Sequence, residues 1–157
     1  MLLDPQQDFH AETEALLMFA ARREHVDKVI EPALSQGTWV LCDRFTDASF
    51  AYQGGGSGVD WNKIEMLEAW VHGSLQPDMT LYFDVTPERA QGRAGAARSA
   101  DRYEHEREDF HERTRAAYLR RAAEHSQRFQ VIDANGSVSE VQGALEKILA
   151  PLCGHAR

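Results

Sequence analysis

The sequence predicts an α/β protein, a parallel sheet flanked by helices, on three observations. Short apolar runs at 39–43, 79–85 and 129–133 have the length and content of buried strands. Longer segments with apolar residues at three- and four-residue spacing lie before, between and after them. Strand and helix alternate in that order, which is the pattern of a right-handed parallel layer fold. The 157 residues are the size of one domain, expected to span 1–157, and 43% hydrophobic with 27% charged residues is ordinary for a soluble globular protein.

In chain order, Ala15, Leu16, Phe19, Ala20, Val26, Val29 and Ile30 predict a helix over 12–35, with Pro32 bending or ending it and Gly37 stopping it. WVLCD, 39–43, predicts the first strand, and the Ser- and Gly-containing stretch after it a loop. Asp60 is placed to cap a helix over 61–72 that Gly73 ends. Gln76-Pro77-Asp78 turns into the strand MTLYFDV, and Thr86-Pro87-Glu88 is a compact helix start. GRAGAARSA, 92–100, reads as a basic loop, either a lid or an ordinary linker. A helix over 104–125 with Phe110, Tyr118 and Leu119 inward leads to the strand FQVID, a turn at Asn135-Gly136, and a final helix opened by a Ser137–Glu140 capping box.

Charge narrows the partners. A net charge of -8 excludes a general nucleic-acid binder, which needs a basic footprint to displace counterions. Every basic residue from Arg89 to Arg121 is arginine, a side chain suited to bidentate phosphate contacts, although interleaved acids suit a salt-bridged helix equally. No segment approaches the ~18 apolar residues of a membrane span, and acid stands where a signal peptide has its basic region, so no membrane partner and a cytoplasmic location are expected. Cys42 and Cys153 fit neither a metal site nor a disulfide framework and read as reduced structural thiols.

The candidate site begins where the first expected strand would end. Asp43 and Arg44 place an acid beside a base at the carboxyl end of a strand, where open α/β sheets bind ligands. Ser49, Tyr52 and Gln53 add hydrogen-bonding side chains, and Gly54, Gly55, Gly56 and Gly58 let backbone approach a ligand closely. Earlier in the chain Phe19 and Arg22 share one helix face. That pair suits either stacking on a flat base or a core aromatic beside a surface arginine.

DRFTDASFAYQGGG, with LLMFAAR before it and ADRYEHE after it, closely resembles the signature of bacterial thymidylate kinases, and the resemblance covers essentially the whole chain. It implies a nucleoside monophosphate kinase of the P-loop class that moves the γ-phosphoryl of ATP, with Mg2+, onto dTMP to give dTDP in dTTP biosynthesis, and that works as a homodimer. It implies Phe19 stacking on thymine and Arg22 bonding its carbonyl oxygen, with Arg23 the rival one position on. Arg44 is implied to grip the 5′-phosphate, and Asp43 to order the Mg2+ shell. Ser49, Tyr52 and Gln53 are implied to contact the nucleoside. Arg93 and Arg98, in a lid over 92–104, are implied to support phosphoryl transfer. Ser57 stands where the family usually has arginine.

A G-x-x-x-x-G-K-[ST] phosphate loop, which in this class cradles ATP between a strand and a helix, occurs nowhere in the 157 residues. The expectation is therefore a family fold without its first strand, phosphate loop and helix, with no ATP cradle of its own. The alternative is a catalytically silent remnant that binds dTMP or only dimerises. The apolar surplus of Trp61, Met66 and Trp70 points to a subunit interface in either case.

Overall fold

A computed structural model describes residues 9–94 and 108–153. They fall into two compact units, one running to Gln76 and resuming before Arg121, the other running from Pro77 and resuming at Ala122.

The first unit opens with α1 (Ala11–His25), whose first turn carries Glu12 and Glu14 and whose last turn carries Arg22, Arg23 and His25, as the helix dipole favours. Helical geometry continues through a π-helical turn, Val26–Ile30, into α2 (Glu31–Ser35). The sequence predicts a bend or stop at Pro32. The chain instead widens one turn earlier, with the Glu31 amide bonding the Val26 carbonyl, and leaves Pro32 in the first turn of α2, where a missing amide is tolerated. Gly37, at φ 72, then ends the helix.

Two expectations fail in the next stretch. Residues 39–43 do not form a strand, and Trp39 and Leu41 are exposed, Leu41 at 95%. An extended run has no internal hydrogen bonds, and no neighbouring strand borders this one among the described residues. The expected loop is helical throughout, as α3 (Thr46–Ser49) and a π-helical segment Phe50–Gly56.

Three of the glycines in this stretch meet neighbouring helices. A Cβ on Gly55 would sit 2.5 Å from the Ala117 Cβ, one on Gly56 would sit 2.4 Å from the Phe110 ring, and one on Gly54 would sit 2.9 Å from the Trp61 indole nitrogen. Two of these neighbours belong to α6 (Glu108–Glu124) and one to α4 (Trp61–Val71). The missing side chains let one helix settle on two others. α4 starts as predicted, with the Asp60 carboxylate accepting from the Asn62 amide at 3.0 Å, and Gly73 follows its end at φ 56. Phe19, Phe50, Val59, Ile64 and Val71 form the core between these helices.

The second unit holds a parallel pair, β1 (Thr80–Asp84) and β2 (Phe129–Asp133), in register from Thr80 opposite Phe129 to Asp84 opposite Asp133. Two of the three expected strands are thus present. After β1 comes α5 (Pro87–Ala94), and after β2 comes α7 (Val138–Cys153). The capping box is formed, the Ser137 amide donating to the Glu140 carboxylate at 2.7 Å and the Glu140 amide to the Ser137 hydroxyl at 3.3 Å.

Candidate functional site

Asp43 and Arg44 lie exposed on a tight turn between the extended run and α3. Arg44 adopts φ 65, a left-handed conformation that non-glycine residues seldom hold and that clusters at functional sites. The Cys42 thiol donates to the Arg44 carbonyl across the turn at 3.4 Å, and the Arg44 guanidinium sits 4.9 Å from the Tyr52 ring centre. Cys42 is half-buried, and burial pushes its thiol pKa up.

Arg22 is the centre of the constellation. It is only 8% exposed, stacked 4.4 Å from the Phe19 ring centre and 5.4 Å from that of Phe45. Its Nη2 donates to the Ser49 hydroxyl at 2.9 Å and to the Phe45 carbonyl at 3.2 Å. Nη1 is buried and meets no acceptor. Burial pulls the guanidinium down to about 10, against the opposing charges of Cys42, Glu68 and Asp47, so it stays protonated at neutral pH. A buried cationic donor without an acceptor is costly, and a carbonyl or an anion reaching Nη1 would relieve that cost. Arg23 does something else: it donates to the Val71 carbonyl at 2.7 Å and pairs with Asp27, tying α1 to the end of α4.

The remaining expected residues divide between site and core. Phe19, at 1% exposure, is a core member with the Arg22 guanidinium over its ring. Gln53 is equally buried and donates to the Glu14 carboxylate at 2.7 Å, a bond between its π-helical segment and α1. Ser49 is buried against Arg22, and Tyr52 is half-buried beneath Arg44 with Tyr118 and Phe110 beyond it. Arg93 lies in α5 with its side chain outside the described structure, as does the side chain of Cys153 in α7. Arg98 and the rest of the expected lid from residue 95 onward lie outside the described residues.

A polar scaffold that the sequence does not announce holds these groups. Arg121 of α6 is buried, its Nε and Nη2 each 3.0 Å from one Asp47 oxygen and its guanidinium 4.0 Å from the Phe50 ring centre. The Thr46 hydroxyl meets His72 Nε2 at 2.7 Å, while His72 Nδ1 meets the Leu75 carbonyl at 2.7 Å. Arg113 donates to the carbonyls of Gly55 and Gly56 at 3.2 and 2.8 Å. Asp47 and Thr46 sit inside the signature, but nothing local separates Arg121 from Arg120, which stacks 3.7 Å from Trp61 instead.

Between α1 and α4 an apolar groove is lined by Ala15, Leu16, Met66, Leu67 and Trp70, with Lys63 and Glu12 paired at its rim. Trp70 is 81% exposed there. Among the described residues no three His, Cys, Asp or Glu side chains converge as a metal cage, and no helix is long and apolar enough to cross a membrane.

The family model for thymidylate kinase matches residues 1–145. The chain is 57% identical over 152 residues to the thymidylate kinase of Nitrosospira multiformis, covering 97% of this chain and 74% of that one. It is 60% identical over 143 residues to that of Cupriavidus metallidurans, covering 91% and 72%. The crystal structure of thymidylate kinase from Ehrlichia chaffeensis superimposes with a TM-score of 0.69 at 30% identity, covering 91% of this chain, which in turn spans 66% of that one. The chain belongs to the thymidylate kinase family.

Proposed function

We propose that this protein is a dTMP kinase, transferring the γ-phosphoryl of ATP to dTMP, and that the first unit supplies the dTMP side of the reaction. The observation that carries the assignment is the buried, unpartnered Nη1 of Arg22, a donor waiting for a carbonyl such as that of thymine. Arg44, exposed on its strained turn, takes the 5′-phosphate by charge-assisted hydrogen bonds. Ser49 holds Arg22 in place, and Tyr52 with Gln53 borders the nucleoside. Asp43 suits Mg2+, which takes one or two carboxylates, waters and substrate phosphates, and which supplies charge neutralisation when bound with ATP. Arg93 and Arg98, in the segment 92–104 that resembles the family's lid, are assigned to support phosphoryl transfer on that resemblance alone.

The 157 residues contain no phosphate-loop motif, so the proposal places donor binding outside the residues named here. That same observation favours the second reading, a dTMP-binding module without turnover. Homodimerisation through the α1–α4 groove and a cytoplasmic location complete the proposal, and light scattering should give a dimer at micromolar concentration. Calorimetry tests the ligand assignment: dTMP should bind more tightly than ATP, and ATP binding equal to or tighter than dTMP would overturn it. An ADP-release assay separates kinase from module, because positioning of a triphosphate is worth ~7–11 kcal/mol of barrier. Turnover of ~1 per second or faster supports the kinase, and turnover far below that supports the module.

A further inference from the structure

We propose that His72 is a positioning residue of the acceptor pocket, acting through Phe45 and Thr46 to hold the Arg22 guanidinium where it meets the base. The inference rests on the dTMP assignment above. His72 follows α4, far in sequence from the signature, yet its imidazole is buried against the signature's first helical turn. Its ring lies 4.9 Å from the Phe45 ring, and Phe45 in turn offers Arg22 both a ring face and a carbonyl acceptor.

The hydrogen bonds fix the chemical state of the ring. A carbonyl only accepts, so the 2.7 Å contact with the Leu75 oxygen places a proton on Nδ1. In the neutral ring Nε2 is then an acceptor, and the Thr46 hydroxyl donates to it at 2.7 Å. Thr46 directly follows Phe45, so the imidazole pins the backbone on which Arg22 rests from two sides. Losing the ring or the hydroxyl should loosen Phe45, and the Arg22 Nη1 would lose its aim rather than its charge.

The groups around the ring are Arg22 from α1, Asp47 from α3, Glu68 from α4 and Arg121 from α6, the last contacting both carboxylates. Burial holds His72 below the ordinary imidazole range, with Arg22 reinforcing and the Leu75 carbonyl, Glu68 and Asp47 opposing. The neutral state therefore prevails at and above neutrality. A second proton would make Nε2 a donor, oblige the Thr46 hydroxyl to turn around and set a positive charge beside Arg22.

The test compares two ligands that share a phosphate and differ by a base, dTMP and 2-deoxyribose 5-phosphate, titrated calorimetrically into the full chain. Thr46→Val and His72→Phe should each weaken dTMP about threefold to tenfold, the range for one lost hydrogen bond, and leave the sugar phosphate unchanged. In the wild type the affinity ratio should fall as the pH drops through the lowered folded value of His72, beneath the ordinary imidazole range, and His72→Phe should flatten that dependence. If His72→Phe does not fold, Thr46→Val and the wild-type pH series decide the matter. A ratio that neither variant nor pH moves would overturn the inference, as would equal weakening of both ligands, which marks a merely structural role. Wild-type chain that binds no dTMP would instead overturn the acceptor assignment and, with it, this one.

Discussion

The two halves of the stretch from Trp39 to Gly58 have similar apolar promise and opposite fates. Before Arg44 the run of Trp39, Val40, Leu41 and Cys42 stays extended, with Trp39 and Leu41 in solvent. After it, Phe50 and Ala51 are fully buried and the chain is helical to Gly56. The difference lies in where the backbone finds its hydrogen bonds. A helix satisfies its own amides and needs only a surface to pack on, whereas a strand needs another strand beside it. Arg44, with its positive φ, stands at the joint between the unsupported half and the anchored one.

The sharpest way to break the anchored half is to unpair its buried charges. Arg121→Ala would remove the buried guanidinium that meets the Asp47 carboxylate at 3.0 Å and should cost ~3–5 kcal/mol in denaturant unfolding. Gly56→Ala should come next, because a Cβ 2.4 Å from the Phe110 ring forces repacking worth ~1–3 kcal/mol. Gly58→Ala sharpens that result. Its Cβ would stand in open space, so its cost of ~1–2 kcal/mol would come from φ +78 alone, without overpacking.

These outcomes bear on how legible the molecule was. The helix caps at Asp60 and Ser137 and the strand Phe129–Asp133 were readable, because each rests on local chemistry between near neighbours. Glycine permits close approach without saying to what, and the neighbours of Gly55 and Gly56 are Ala117, Arg113 and Phe110, more than fifty residues on. Phe19 and Arg22 were correctly grouped, yet which of them would face outward depends on Phe45 and Ser49, beyond the reach of helical periodicity. The scaffold of His72, Asp47 and Arg121 was invisible for the same reason, since its bonds join residues that only the fold brings together.

Two smaller effects complete the comparison. His72 is held below its unfolded value, so the unfolded chain takes up a proton first as pH falls. The stability this group contributes is complete above 6.5 and declines as pH drops through that value toward the lower folded one. Thermal unfolding at stepped pH should show the decline, and His72→Phe should remove that part of it. In the unsupported half, Trp39→Ser and Leu41→Ser should each change stability by no more than ~0.5 kcal/mol, the usual range for exposed positions. A loss of 2 kcal/mol or so at Leu41, the size of a core truncation, would mean that this run is buried in solution.

The central claim is that Arg22 and Arg44 form one acceptor site, the first reading the base and the second the phosphate. Calorimetric titration of dTMP into Arg22→Met, Arg44→Ala and wild-type chain tests it most directly. The account predicts that each variant loses ~1.5–3 kcal/mol of binding, roughly tenfold to hundredfold in affinity, with thermal unfolding of Arg44→Ala unchanged because that side chain is exposed. Unchanged dTMP affinity in both variants would contradict it.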